Sequence, residues 1–267
     1  MATGKDFPMG AFEQAIASDP DILGAFYAGS QGRGTMDRYS DLDLMVWVTK
    51  EAYAEGRGKI EALLSTLGQV QSQFPLHPTS STTALVGSDW QRVDLDLFRE
   101  EDLKPWLGWA GARILKDTNA TLSRILAQAP ERPEPPTIEE ASDFILGIID
   151  SQIFIALQTA RGGVWSGMVE VGVQAIALYA FLARLRGVNY CGPRYIEQLL
   201  FPHERALLEA TVVARPEREE VRRAARGLWE WTRYVWRETE RVLGGALPIP
   251  LDEDGLLSAV DRIYAWR

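Results

Sequence analysis

Cysteine and histidine are scarce in this chain of 267 residues, which contains one cysteine and two histidines. A single cysteine excludes an internal disulfide framework and a thiolate metal site, so we expect Cys191 to be a small buried side chain. His77 and His203 lie far apart in sequence and each neighbours a proline. With no third ligand near either one, we do not expect a zinc site.

Positive charge is also in short supply. The chain has 28 lysines and arginines against 37 acidic residues, a net charge of −9. Binding to the phosphates of nucleic acid depends on clustered lysine and arginine, so we expect no nucleic-acid partner. The acidic balance is compatible with a cationic substrate but does not require one.

Long hydrophobic runs are missing too. The most apolar stretch, residues 171–185, is interrupted by Gly172 and Gln174. It is shorter than the run of about 20 apolar residues that a membrane-spanning helix needs. The first ten residues lack the apolar segment of a signal peptide. We therefore expect a cytoplasmic protein without a membrane partner.

The most informative stretch covers residues 25–48. An apolar run leads into Gly29-Ser30, and ten residues later Ser40 precedes Asp41-Leu42-Asp43 and a second apolar run. Side chains alternate between the faces of a strand, so the two aspartates should share a face. Neighbouring carboxylates favour a hard divalent cation, and glycine lets backbone N–H groups approach a phosphate.

A second strand with the same pattern covers residues 92–98. Asp94 and Asp96 should share one face of it, opposite three apolar side chains. If it lies beside the first strand, three or four carboxylates converge; the alternative is an edge strand with a solvated acidic face. Convergent carboxylates at a phosphate-binding turn indicate metal-assisted phosphoryl or nucleotidyl transfer.

The pattern of apolar residues divides the chain in two. Strands and helices alternate up to about residue 118, four prolines follow between positions 130 and 136, and helical periodicity then continues nearly to the end. We predict an α+β protein with a small mixed sheet and its helices in residues 1–130 and a helical bundle in residues 131–267. The predicted strands are 22–28, 38–48, 69–74, 82–86 and 92–98; the predicted helices are 8–18, 51–67, 138–160, 164–186, 195–200, 203–213, 218–243 and 254–264.

These motifs resemble the nucleotidyltransferase superfamily that includes DNA polymerase beta. Its signature is Gly-Ser, about ten residues, Asp-x-Asp and a third carboxylate on a later strand. Gly29-Ser30, Asp41-Leu42-Asp43 and Asp94 match it.

The sequence is more closely similar to antibiotic nucleotidyltransferases, in particular to lincosamide nucleotidyltransferases with a C-terminal helical domain. The segments that carry this likeness are Arg33, Tyr39-Ser40-Asp41, 92–103, 114–122 and 161–165, although Asn119-Ala120 stands where the family usually has glycine.

The resemblance implies transfer of AMP from Mg·ATP to a hydroxyl of a small antibiotic, a lincosamide or an aminoglycoside. It implies two Mg²⁺ ions at Asp41, Asp43 and Asp94, with Asp94 also the general base and Asp96 its rival. The nucleotide would contact Gly29, Ser30, Arg33 and Ser40. The expected partners are the nucleotide and the antibiotic, and a homodimer is left open. The alternative is a regulatory module on the same fold, such as a protein adenylylator or an antitoxin-like subunit.

Several further side chains have two interpretations each. Arg113 and Lys116 either reach phosphate or lie in solvent. Glu170 either binds the acceptor or is an ordinary exposed glutamate. The aromatic residues of the helical half favour core packing over a drug pocket; they are Trp229, Trp231, Tyr234 and Trp236, and Trp106 and Trp109 in the first half are interpreted in the same way.

Overall fold

The computed structural model describes residues 9–37, 40–78, 80–189, 196–250 and 253–265. The chain forms two compact units, Met1–Glu131 and Arg132–Arg267. The first contains all the strands described, and the second is helical.

The first unit is built on a six-stranded mixed sheet. The strands are β1 Ile22–Tyr27, β2 Leu42–Val48, β3 Val70–His77, β4 Ser81–Val86, β5 Gln91–Phe98 and β6 Arg113–Asp117. They lie in the order β3-β4-β5-β2-β1-β6. β2 and β5 are parallel, whereas the other neighbouring pairs are antiparallel. The parallel pair therefore lies in the middle of the sheet.

Five α-helices accompany this sheet among the described residues. They are α1 Met9–Ser18, α2 Gly29–Gly32, α3 Lys50–Glu55, α4 Arg57–Leu67 and α5 Thr121–Leu126. The apolar faces of α1 and α4 cover one side of the sheet with Phe12, Ile16 and Leu64, all of which are fully buried.

Alternation along the central strands decides which side chains enter this core. Leu42, Leu44 and Val46 of β2 point into it, as do Val93 and Leu95 of β5. Their neighbours therefore face the opposite side of the sheet. That side carries the aspartates at 43, 94 and 96, and further along it a smaller apolar cluster forms around Trp47, Trp109 and Leu122.

The first unit differs from the predictions in four places. The predicted helix 51–67 is two helices, because Gly56 adopts φ 39° and separates α3 from α4. The second strand begins at Leu42, so Asp41 precedes it. The third strand runs on to His77. Residues 113–117, which the sequence analysis did not assign to a strand, form edge strand β6 beside β1.

The segment after β6 adopts a backbone conformation that favours glycine. Asn119 has φ 61° and Ala120 has φ 55°, so both adopt the left-handed conformation. Asparagine tolerates this conformation, whereas for alanine it has a steric cost of about 1 kcal/mol. Asp117 stabilises the start of α5 by accepting hydrogen bonds from the Leu122 and Ser123 N–H groups at 2.8 and 2.9 Å.

The second unit is made of helices. They are α6 Ile138–Ala160, α7 Val164–Leu185, α8 Ile196–Leu199, α9 Pro202–Glu209, α10 Arg218–Leu243 and α11 Glu253–Ala265. The start of α6 has a capping box, in which the Thr137 side chain and the Glu140 side chain each bind the other residue's backbone N–H. The predicted helix 203–213 ends four residues early, at Glu209.

The three long helices supply most of the core of this unit. Ile145 of α6, Leu178 of α7 and Leu228 of α10 are buried together with Trp231. α6 and α7 are also long and apolar enough to span a membrane by length and composition alone. The prediction that no stretch of the chain is long enough for such a span is therefore wrong. The apolar faces of both helices pack in this core, as expected for core helices of a folded bundle.

Candidate metal and nucleotide site

Two carboxylates lie side by side on the parallel strands β2 and β5. The register pairs Asp43 with Asp94, and Asp41 directly precedes β2. All three side chains are partly exposed, and each can offer an oxygen atom within 4.8 Å of the oxygens of the other two. Oxygen ligands on opposite sides of one Mg²⁺ are about 4 Å apart. The three aspartates are therefore spaced closely enough to share a divalent cation after small side-chain rotations.

Asp94 is oriented by two neighbours on the same face of the sheet. Thr83 lies opposite it on β4, and its hydroxyl donates to Asp94 Oδ1 at 2.6 Å. Arg92, two residues earlier on β5, donates from Nε to Oδ1 at 3.1 Å and from Nη2 to Oδ2 at 2.8 Å. Both carboxylate oxygens of Asp94 thus accept hydrogen bonds from the sheet itself.

Arg92 also balances the charge of the cluster. Its pKa is raised, mainly by the hydrogen bond to Asp94 and against the effect of burial, with further contributions from the charges of Asp94, Asp41 and Asp43. The guanidinium therefore stays charged and offsets the repulsion between the carboxylates. Arg92 was not predicted as a site residue, although its position two residues before Asp94 places both on one strand face.

Asp96 lies further along β5 and is not one of the three clustered carboxylates. Burial raises its pKa; a hydrogen bond from Ser81 opposes this shift, and the charge of Asp94 adds to it. Asp94 therefore lies beside Asp43, whereas Asp96, the other candidate for the general base, lies beside Ser81.

Gly29 lies against the carboxylate cluster at a point where a side chain has no room. It has φ +56°, and a Cβ atom built there would lie 1.9 Å from Asp43 Oδ2. The preceding residue, Ala28, donates its N–H to the Asp43 carbonyl at 3.0 Å. The predicted turn is the four-residue helix α2, and its first residue is in direct contact with β2.

Ser30 follows in α2 with a hydroxyl that is buried and has no hydrogen-bond partner among the described residues. Buried hydroxyl groups are normally paired. A hydroxyl donor of this kind, next to a glycine that leaves the backbone N–H groups accessible, can bind a phosphate oxygen. Together with an all-oxygen carboxylate cluster, these residues fit a divalent cation with a bound nucleotide.

The other two predicted nucleotide contacts have local roles. Arg33 is exposed, and its side chain passes over Gly111, where a Cβ atom would lie 2.9 Å from Arg33 Cγ. The Ser40 hydroxyl donates to Asp37 Oδ1 at 2.9 Å and accepts from the Asp37 N–H at 3.0 Å. Ser40 thus stabilises the loop that leads to Asp41.

Arg113 and Lys116 of β6 take part in structural contacts. Arg113 pairs with Glu13 at 2.6 Å and lies over the ring of Tyr27, 5.0 Å from its centroid. Lys116 donates to the Asp19 carbonyl at 2.7 Å. Both cations tie α1 or the segment after it to the edge of the sheet.

The remaining candidates are also placed by the fold. His77 contacts Ser80 at 2.8 Å, His203 contacts Tyr234 at 3.3 Å, and neither belongs to a metal-ligand group among the residues that the structure describes. Glu170 accepts from Gln174 at 2.6 Å. Cys191 lies outside the described residues.

The aromatic residues contribute to apolar clusters. Trp229 and Trp231 are buried in the helical core, with Tyr234 and Trp236 packed against it. In the first unit Trp109 is 4% exposed, whereas Trp106 is 59% exposed. Core packing therefore accounts for all of these side chains except Trp106.

No family model matches the sequence, and no curated protein matches it. Among solved structures the chain is similar to an aminoglycoside 6-adenyltransferase from Bacillus subtilis, with a TM-score of 0.46, 13% identity, and 96% of this chain and 97% of that chain covered. It is also similar to a nucleotidyltransferase-like protein from Exiguobacterium sibiricum, with a TM-score of 0.43, 14% identity and coverage of 88% and 76%. Neither of the two names mentions a lincosamide.

Proposed function

We propose that this chain is a metal-dependent nucleotidyltransferase that transfers AMP from ATP to a hydroxyl group of a small antibiotic. The observation that carries the proposal is the approach of Asp41, Asp43 and Asp94 to within 4.8 Å of one another beside the tight Gly29 turn. Phosphoryl-transfer sites need clustered negative charge for metal ions and close backbone access for phosphates.

Different residues would bind the metal ions and the phosphates of ATP, the AMP donor. Asp41, Asp43 and Asp94 would hold two Mg²⁺ ions, which when bound neutralise phosphate charge and polarise the reacting oxygens. Gly29 gives the phosphates access to backbone N–H groups, and the buried Ser30 hydroxyl donates to a phosphate oxygen. Arg33 is exposed and long enough to add a charge-assisted contact.

In the reaction the acceptor oxygen forms a bond to the α-phosphorus of ATP. The bond between that phosphorus and the oxygen bridging to the β-phosphorus breaks, and pyrophosphate leaves with the electron pair. The proton of the acceptor hydroxyl passes to the Asp94 carboxylate, which Thr83 and Arg92 hold in a fixed orientation. Asp94 then releases the proton to solvent.

Two classes of acceptor fit different observations. The net charge of −9 favours a cationic aminoglycoside, whereas the sequence motifs resemble those of lincosamide nucleotidyltransferases. The protein is proposed to act in the cytoplasm, where ATP is available.

The test is an assay of purified protein with Mg·ATP and a panel of aminoglycosides and lincosamides. We expect pyrophosphate release and an adenylylated drug in the mass spectrum. Asp41→Asn should lower the rate at least about a hundredfold because it removes a metal ligand. Asp89→Asn, on the exposed turn after β4, is the matched control and should leave the rate unchanged.

ATP labelled at its α-phosphate, incubated with the protein and a cell lysate, distinguishes the alternative function. Label on a protein band, with no drug modified, would favour a protein adenylylator and overturn the antibiotic proposal. No transfer to either would favour an antitoxin-like module.

A further inference from the structure

Trp106 is exposed, yet one face of its indole ring is held against the backbone. The side chain lies in the segment between β5 and β6 and is 59% exposed. A Cβ atom built on Gly108 would lie 2.4, 2.5 and 2.8 Å from three consecutive atoms of its six-membered ring. A point that close to three consecutive ring atoms lies over the face of the ring. One face of the indole therefore covers Gly108, and the opposite face supplies the exposed area.

Two further contacts hold the indole in this orientation. Trp109 stands edge-on to Trp106, with the ring centroids 6.1 Å apart and the ring planes at 90°. The backbone between them forms a short 3-10 turn, in which the Trp109 N–H donates to the Trp106 carbonyl at 3.0 Å. A flat side chain that is already fixed loses little conformational entropy when a ligand stacks on it. Trp106 is therefore a preformed surface for a planar ring.

The aromatic residues behind Trp106 lie on the same face of the sheet as the carboxylates. The ring of Trp109 is 5.2 Å from that of Phe26 on β1, and Phe26 pairs with Met45 on β2. Met45 follows Asp43 by two positions, so the two share a face and are about 7 Å apart along the strand. Trp109 is thus packed one row of side chains away from the carboxylate cluster, and Trp106 lies beside Trp109.

The segment that carries Trp106 also contacts the turn that is proposed to hold the phosphates. A Cβ atom built on Gly32, the last residue of α2, would lie 3.1 Å from Ala112 Cα and 3.2 Å from the Gly111 carbonyl oxygen. The side chain of Arg33 passes over Gly111. This segment therefore connects the exposed indole to α2, the helix that begins beside the carboxylate cluster.

We propose that the free face of Trp106 stacks on the adenine base of ATP. This stacking contact rests on the proposed function, since the base is placed there only when the phosphates are bound at Gly29 and Ser30. Aromatic side chains are a common surface for nucleic-acid bases, because every base has a π-face. The contact of the same segment with α2 favours the nucleotide, whose phosphates bind there, over the antibiotic as the occupant. Trp106 would thus add affinity for the AMP donor without touching the reacting atoms.

Binding of Mg·ATP in the absence of antibiotic tests this contact by titration calorimetry. Ribose 5-triphosphate with Mg²⁺ is the matched ligand, because it carries the same ribose and phosphates but no base. We expect the wild type to bind ATP about tenfold more tightly than ribose 5-triphosphate, the size typical of one base stacked on an aromatic ring. Trp106→Ala should lose this advantage and bind ribose 5-triphosphate as the wild type does. Trp106→Phe keeps a π-face and should retain most of the advantage.

Trp90→Ala is the matched control for the loss of an exposed tryptophan. Trp90 is also 59% exposed and lies in the turn between β4 and β5, outside the segment that contacts α2. This variant should bind both ligands as the wild type does. In the complete reaction Trp106→Ala should raise KM for ATP about tenfold and leave kcat and KM for the antibiotic unchanged, because the base contact is equally present in the ground state and in the transition state.

Four outcomes would overturn the stacking contact. Equal affinity of the wild type for ATP and ribose 5-triphosphate would show that the base makes no contact, and this comparison needs no variant. An advantage for ATP that persists in Trp106→Ala would place the base elsewhere. Weaker binding of both ligands by Trp106→Ala would assign the side chain a structural role in the phosphate turn. These three outcomes leave the proposed function intact, whereas a wild type that binds neither ligand would overturn both.

Discussion

The guanidinium of Arg92 makes a two-point contact with the carboxylate of Asp94, through Nε at 3.1 Å and Nη2 at 2.8 Å. Paired contacts of this geometry are among the stronger ionic interactions in proteins. The strand therefore supplies its own cation to the carboxylate cluster. A metal ion that binds Asp94 must therefore do so close to the positive charge of this arginine.

Removal of the arginine should therefore strengthen metal binding in the absence of nucleotide. We expect Arg92→Gln to bind Mn²⁺ several-fold more tightly than the wild type, because one competing charge is lost from a partly screened site. Titration calorimetry with Mn²⁺ measures this effect directly. Arg92→Lys keeps the charge and should stay close to the wild type. Weaker metal binding by Arg92→Gln would show that Arg92 supports the ligands and does not compete for them.

The two aspartates of β5 should differ in their importance for turnover. Asp94 is clustered with Asp41 and Asp43, whereas Asp96 lies beside Ser81 and outside the cluster. We expect Asp94→Asn to lower kcat by about 10²-fold or more, as for loss of a general base, and Asp96→Asn to change it less than about fivefold. Pyrophosphate release under saturating substrates is the measurement. The opposite order of effects would assign the base to Asp96.

The stability of Asp96→Asn should depend on pH in a defined direction. Burial raises the pKa of Asp96, so its contribution to stability is fully present below the unfolded pKa, near 4, and is lost as pH rises through the folded pKa. Asparagine does not ionise and avoids this loss. We expect the variant to gain stability relative to the wild type from about pH 4 upwards, reaching a plateau above the folded pKa, measured by urea unfolding.

Asp102 provides a control of opposite sign for this pH series. Its pKa is lowered, chiefly by the hydrogen bond from Arg99, so its stabilising effect is present above the unfolded pKa and is lost as pH falls. The wild type should therefore lose its advantage over Asp102→Asn on acidification. A flat profile for Asp96→Asn beside a sloping one for Asp102→Asn would contradict the raised pKa.

Because Gly29 lies so close to Asp43, adding a single methyl group at Gly29 should strongly destabilise the fold. Gly29→Ala meets both a positive φ of 56° and a Cβ contact of 1.9 Å with Asp43 Oδ2. We expect a loss of about 2–4 kcal/mol in the free energy of unfolding, measured by urea denaturation.

Gly34 separates the two causes of that loss. It has φ +69°, but a Cβ atom added there would meet no described atom within 4 Å, so Gly34→Ala should cost only about 1 kcal/mol. In an Asp43→Ala background the contact partner of the new methyl is gone. The cost of Gly29→Ala should then fall to that of Gly34→Ala; an unchanged cost would mean that Asp43 is not what excludes the side chain.

Side-chain alternation was enough to predict much of the first unit and its candidate site. It places Asp43 and Asp94 on one face of their strands and the leucines on the other, because the pleat fixes the faces once a strand is identified. It does not say which strands are neighbours. The parallel pairing of β2 with β5 depends on the hairpin of β3 and β4 lying on the far side of β5, and that follows from the fold of the whole unit.

Local backbone conformation was predicted less well. The break at Gly56 interrupts an otherwise regular apolar pattern, so the spacing of the leucines in residues 57–67 gave no sign of it. Edge strand β6 was missed because Arg113 and Lys116 carry long polar side chains that pair with α1 and the segment after it. Periodicity reports burial, and an edge strand with this composition buries little.

The parallel pairing of β2 and β5 has a consequence for how the protein folds. Asp43 and Asp94 are 51 positions apart, and the segment between them contains two helices and two further strands. Contacts between residues so distant in sequence form late, since the intervening loop must first be closed at an entropic cost. A nascent chain that has not yet reached β5 lacks the assembled carboxylate cluster. Because β5 lies between β4 and β2, the step that joins the two parts of the sheet also brings Asp94 beside Asp43 and delivers the compensating arginine.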